Sequence, residues 1–191
     1  MTKPDHNSVK PSAETLASAA QKFAKRGPAP VHLWDPEFCG DLDMRIARDG
    51  TWFYLGTPIG RLPLVKLFSS IIKREGEAYF LVTPVEKVGI KVDDVPFIAV
   101  DFELNGDTFI FETNVGDFVP LSAAHPMRIQ TSPKGEPAPY IHVRNNLEAR
   151  IDRKSFYRLA DLAKPHRFQG EDWLGIWSEG AFFPFIRAAD L

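Results

Sequence analysis

A single cysteine, Cys39, in 191 residues leaves no disulfide framework and no cysteine-rich zinc site. No apolar run approaches the roughly 20 residues needed to cross a bilayer, so no membrane association is expected. The opening MTKPDHNSVKPSAETLASAAQKFAKRG carries lysines but no apolar core, which is not the pattern of a secretory signal, and the expected location is cytoplasmic. A formal charge of -2 does not suit a protein built to neutralise phosphates, so a nucleic acid polymer is not an expected partner. Catalytic signatures are equally scarce. There is no G-x-S-x-G elbow, no G-x-x-x-x-G-K-[ST] loop and no G-x-G-x-x-G fingerprint. His6, His32, His125, His142 and His166 are scattered without metal-binding spacing, and Cys39 has no histidine at a known family interval. The sequence assigns no catalytic residue and names no cofactor.

What is present is a core. Hydrophobic residues make up 44% and aromatic residues 12%, far from a disordered composition. Residues 1–11 are polar with two prolines, a tail expected to fray. Ser12 is placed to cap a helix with Leu16, Ala19, Ala20 and Phe23 on one face, stopped by Gly27-Pro28. Val31, Leu33 and Trp34 are expected to dock from the extended segment that follows.

In GDLDMRIARDGTWFYLGTPIGR, Leu42, Met44 and Ile46 alternate with Asp43, Arg45 and Ala47, a strand period. Asp49-Gly50 signals a two-residue type I′ turn. That turn sets Arg45 opposite Tyr54 and Ile46 opposite Phe53. Met44, Ile46, Phe53 and Leu55 then face the core, while Asp43, Arg45, Trp52 and Tyr54 share a polar, aromatic face. A helix with Pro63 in its first turn and Leu64, Leu67, Phe68, Ile71 and Ile72 at helical spacing runs toward Gly76. Two strands follow, interrupted near Thr83-Pro84. Further strand pairs surround Asn105-Gly106-Asp107 and the proline-rich loop after Met127. The final third predicts strands at 139–144 and 147–151, a helix near 152–163 capped by Asp152, and two strands over 172–187 that turn at Glu179-Gly180, with Trp177 opposite Phe182 and Ile176 opposite Phe183. GEAYFLV at 76–82 lies over GEDWLGI at 170–176, each after a helix that follows two strands. The reading is α+β: two small lobes built from a repeated ββαββ-like motif with mostly antiparallel sheets. The parts are residues 1–27 (tail and short helix), 28–95 (first lobe) and 96–191 (second lobe).

The words VHLWDPEFCGDLDMRIARDGTWFYLGTPIGR, YFLVTPVEKVGI, PYIHVRNNLEARIDRKSFY and WLGIWSEGAFFPF, in that order, resemble the bacterial domain-of-unknown-function family 1285. The likeness runs from about Val31 onward. It implies a two-domain α+β fold with a repeated motif, and a cleft between the domains suited to a nucleotide-like ligand in a signalling role. It carries no catalytic residue onto this chain.

Anion binding is the chemistry best supplied with residues. Arg45, Arg48 and Arg61 offer guanidinium forks that fit phosphate or carboxylate. Trp52 and Tyr54 beside them would stack a planar ring; the plainer reading is a cross-strand cation–π pair. His142 and Arg144 share one face of the strand that opens the second repeat, and Trp177 either walls a cleft or packs the lobes. Together these eight residues are the expected contacts of a small, nucleotide-like anion. Asp41 and Asp43, with Glu86, offer carboxylates for a divalent ion in an enzyme acting on a phosphorylated small molecule. The plainer reading of that pair is solvated strand residues, Asp43 paired with Arg45 or Arg61. A protein-interaction module using sheet edges or the aromatic tail is the third class, with no partner named.

Overall fold

The computed structural model describes residues 10–24 and 27–191. Most of the segment expected to fray, with His6, therefore lies outside the described residues. The chain divides into two compact units: residues up to Ala47 with Thr51–Asp93, and Arg48–Gly50 with Asp94–Leu191.

The first unit begins with helix α1 (Ala13–Gln21), where the Ser12 side chain accepts from the Thr15 amide in a reciprocal capping box. Ala13, Leu16 and Ala20 are its buried face. After a 3₁₀ turn at Val31–Leu33, Val31 is buried and Trp34 meets Phe23 with ring centroids 4.7 Å apart. Leu33 does not dock as expected; it is 73% exposed. Strands β1 (Phe38–Ile46), β2 (Trp52–Tyr54) and β3 (Thr57–Pro58) precede helix α2 (Leu62–Ser69). Strands β4 (Ile72–Glu75), β5 (Ala78–Val82) and β6 (Lys87–Val92) complete one six-stranded sheet, ordered β3-β2-β1-β6-β5-β4. Its β1–β6 pair is parallel and the others are antiparallel.

Two local expectations for this unit change. Helix α2 stops at Ser69, because the Ser69 and Ser70 hydroxyls donate back to the Lys66 and Leu67 carbonyls at 2.7 and 2.6 Å. Such back-bonding competes with helix continuation. Ile72 belongs to a strand, and Gly76, at φ +60°, turns the β4–β5 hairpin. The second change is in the β1–β2 register. Met44 faces Tyr54, Arg45 faces Phe53 and Ile46 faces Trp52, while the Ala47 amide donates to the Thr51 carbonyl. The loop therefore spans Arg48, Asp49 and Gly50. Gly50 alone takes a left-handed conformation (φ +87°), and Asp49 is not among the positive-φ residues a type I′ turn would require. One residue of slip exchanges the faces of β2. Trp52 is 1% exposed and lies 6.2 Å from the Phe68 ring, while Phe53 sits under Arg45 at 5.4 Å.

The second unit carries two sheets. Strands β7 (Phe97–Asn105), β8 (Thr108–Thr113), β9 (Phe118–Pro120), β10 (Met127–Thr131), β11 (Pro137–Arg144) and β12 (Leu147–Ile151) form a sheet ordered β10-β11-β12-β7-β8-β9. Only its β12–β7 pair is parallel. Helix α3 (Arg153–Ala160) follows, with the Asp152 side chain accepting from the Ser155 amide at 2.8 Å. It ends earlier than expected, and the next residues make β13 (Lys164–Phe168), a strand missed in the sequence. With β14 (Glu171–Ser178) and β15 (Ala181–Arg187) it forms a three-stranded sheet. Here the expected register holds: Trp177 faces Phe182 and Ile176 faces Phe183 around Glu179 and Gly180, both at positive φ. Ser178 ties this sheet to its neighbour, accepting from the Phe109 amide at 3.0 Å and donating to the Leu121 carbonyl at 2.6 Å.

The protein is α+β, in two units with mostly antiparallel pairing. The order hairpin, helix, strand, strand, strand occurs in both units, but its closing strands join the main sheet in the first and form a separate sheet in the second. No helix among the described residues is long and apolar enough to cross a membrane.

Candidate anion-binding site

Within the second unit, pairing sets Arg128 on β10 opposite Tyr140 on β11, and Tyr140 opposite Arg150 on β12. Three strands thus carry a row of arginine, tyrosine and arginine. The Arg128 guanidinium lies 4.3 Å from the centre of the Tyr140 ring and grips both Glu148 carboxylate oxygens at 2.7 and 2.8 Å. The Tyr140 hydroxyl lies 2.9 and 3.2 Å from the two Asp94 carboxylate oxygens. Burial, then the bond to Asp94, push the phenol above its ordinary value of 10.0. Arg150 leans on the same Asp94 at 3.4 Å and donates to the Arg48 carbonyl at 2.7 Å. Its buried Nε makes no hydrogen bond.

The row ends at a pocket of about 490 Å³. Pro137–Pro139 form one wall, and Phe156 and Tyr157 of α3 another. Arg48, Arg150 and Arg153 line it against one carboxylate, Glu136. Arg48 pairs with no carboxylate among the described residues. Tyr157 is 56% exposed, leaving ring surface open beside the guanidiniums. The arrangement suits a small anion carrying apolar or planar bulk.

Of the residues singled out in the sequence, Arg48 lines this pocket and the other seven do not. The Arg45 guanidinium is held by Asp93, with Nε at 3.0 and 3.1 Å and Nη2 at 2.8 Å from its oxygens. That bond holds the Asp93 carboxyl below its ordinary value of 3.8. Arg45 thus pairs with Asp93. Trp52 is core, which overturns its placement on the polar face; Tyr54 shares the Trp52 side of β2 and is half-buried. Arg61 is exposed at the N-cap of α2. His142 bonds the Asn145 carbonyl through Nε2 and lies 5.6 Å from the His125 ring; its buried Nδ1 has no hydrogen-bond partner. Arg144 pairs with Asp117 above the Phe97 ring. Trp177, 49% exposed, meets His166 and Phe182 at 4.9 and 5.5 Å.

Asp41 packs against Gly89, and Asp43 is exposed on β1. Glu86 is half-buried in the β5–β6 turn, where burial raises its carboxyl above 4.5. Among the described residues, no three histidine, cysteine or acidic side chains are grouped to hold a metal ion. Arg150, Arg153, Glu136 and Tyr157 escape sequence reading. The start of α3 at Asp152 is legible in the sequence, but their convergence depends on the β11–β12 register, which no local motif encodes.

Residues 29–95 match the profile "Domain of unknown function (DUF1285), N-terminal domain", and residues 96–185 match "Protein of unknown function (DUF1285), C-terminal domain". The chain belongs to the DUF1285 family. It is similar to the crystal structure of a DUF1285 family protein from Silicibacter pomeroyi DSS-3, at 55% identity and a TM-score of 0.83, over 92% of this chain and 96% of that one. A DUF1285 family protein from Shewanella baltica OS155 is similar at 28% identity and a TM-score of 0.53, over 63% of this chain and 91% of that one. None of the curated proteins compared matches.

Proposed function

We propose that the protein binds a small anionic, nucleotide-like ligand in the arginine-lined pocket of its second unit, as a cytoplasmic sensor in signalling. The observation that carries this reading is the convergence of Arg48, Arg150 and Arg153 on one pocket with a single carboxylate in its lining. Arg48 and Arg150 meet negative charge, and Tyr157 offers a ring face to a base or another planar group. Arg150 is held for this by Asp94 and by the Arg48 carbonyl, so little side-chain freedom is lost on binding. The arginines named in the sequence at 45 and 144 are engaged by Asp93 and Asp117, which favours the pocket over them.

The test is a thermal-shift screen against nucleotides, cyclic dinucleotides and sugar phosphates, each with and without Mg²⁺. A saturable rise for one class, lost in Arg150→Ala, is the expected result. No response across the panel contradicts the reading. A response that requires Mg²⁺ and disappears in Asp43→Asn would favour phosphoryl chemistry at the first unit instead.

A further inference from the structure

Two carboxylates face the pocket arginines, and they differ in kind. Asp94 is mostly buried, with 16% of its side chain exposed, and its oxygens are shared between Tyr140 and Arg150. Removing it would strand both partners. Glu136 is 61% exposed and reaches Arg153, itself 70% exposed, at 3.4 Å. An ion pair between two such solvated side chains contributes little.

The Glu136 backbone, by contrast, is fixed. Its amide donates to the Ser132 hydroxyl at 3.1 Å, and its carbonyl accepts from the Ser132 amide at 2.8 Å. Gly135, at φ +78°, closes the same loop by donating to the Ser132 carbonyl at 2.9 Å. The loop therefore keeps a carboxylate at the pocket mouth while leaving its side chain free to leave. A carboxylate is also the nearest side-chain mimic of a phosphoryl oxygen pair on a guanidinium.

From this geometry we infer that Glu136 is a displaceable internal counter-ion, occupying on Arg153 the place that a phosphoryl group of the ligand takes when it binds. The inference rests on the reading of this pocket as an anion site and adds the group recognised there: a phosphoryl group carrying more than one negative charge. Such a ligand contacts Arg48 and Arg150 first, then gains Arg153 as Glu136 swings into solvent. Asp94 stays in place throughout.

Pyrophosphate, titrated calorimetrically into the full chain at low salt, is the probe. Glu136→Gln removes the competitor and is expected to tighten binding about two- to fivefold, the range that a weak exposed pair allows. In an Arg153→Ala background the same substitution is expected to change nothing, since the competition is for Arg153. Unchanged or weaker binding in Glu136→Gln, with the parent protein still binding, overturns the inference and leaves the anion site standing. Tightening that persists without Arg153 also overturns it, because a general field effect would then be at work. Failure of both the parent and Glu136→Gln to bind pyrophosphate contradicts the anion site itself.

Discussion

At the scale of single residues, Trp52 and Gly50 show how far one step of register reaches. Trp52 was expected on a wet face, yet it is buried beside Phe68. Trp52→Ala is expected to cost about 3–5 kcal/mol in urea unfolding, the range for deleting a buried aromatic side chain. Trp52→Phe should cost clearly less, because the buried indole N–H has no hydrogen-bond partner to lose. A loss under 1 kcal/mol for the alanine variant would return Trp52 to the surface. Gly50 is constrained twice, by its φ of +87° and by its neighbours. An added Cβ would lie 2.8 Å from Ile98 Cγ1 and 2.9 Å from Asn114 Nδ2, both within the unit that holds the turn. Gly50→Ala should destabilise by about 1–3 kcal/mol, read by the same unfolding midpoint.

At the scale of elements, caps and turns decide where the chain changes direction. The Asp152 carboxylate holds the first turn of α3, which presents Arg153, Phe156 and Tyr157 to the pocket. Asp152→Ala should lower stability by about 1 kcal/mol and weaken anion binding in parallel, whereas Asp152→Ser should restore most of both. Both helix caps at Ser12 and Asp152 were legible in the sequence, because capping is local chemistry. The Glu179-Gly180 hairpin was legible for the same reason. Asp49-Gly50 misled, because the same dipeptide suits a three-residue loop with glycine at its left-handed position, and nothing local separates the two. The helical spacing in the sequence runs on through β4, whereas β13 lies beyond the helix end expected near 163 and carries no strand pattern that the sequence reveals. Ile71 and Ile72 continue a helical spacing that back-bonding at Ser69 and Ser70 interrupts. The pocket was the least legible feature, since Arg150 and Arg153 look like ordinary solvated charges until β11, β12 and α3 bring them beside Arg48.

For the whole molecule, acid is the condition that probes its ion pairs together. Lys87 holds the Glu75 carboxyl below 4.5, Arg45 holds Asp93 below 3.8 and Arg158 holds Asp101 below 3.8. A carboxylate depressed in the folded state contributes stability above its unfolded value and loses it as pH falls through the folded one. Glu86 has the opposite sign: raised by burial, its contribution is full below 4.5 and lost as pH rises through its folded value. The three depressed groups outnumber it, so Tm should fall steadily below about pH 4. Arg45→Gln should flatten that fall, and a Tm that holds to pH 3 in the parent would count against these pairs.

The central claim concerns the pocket and has a direct measurement: calorimetric titration of pyrophosphate into the full chain and into its Arg48→Ala variant. The account predicts saturable 1:1 binding to the parent and a loss of about tenfold or more in the variant, the scale of one hydrogen-bonded charge contact. Equal affinity in the two proteins, or no binding to either, would contradict it.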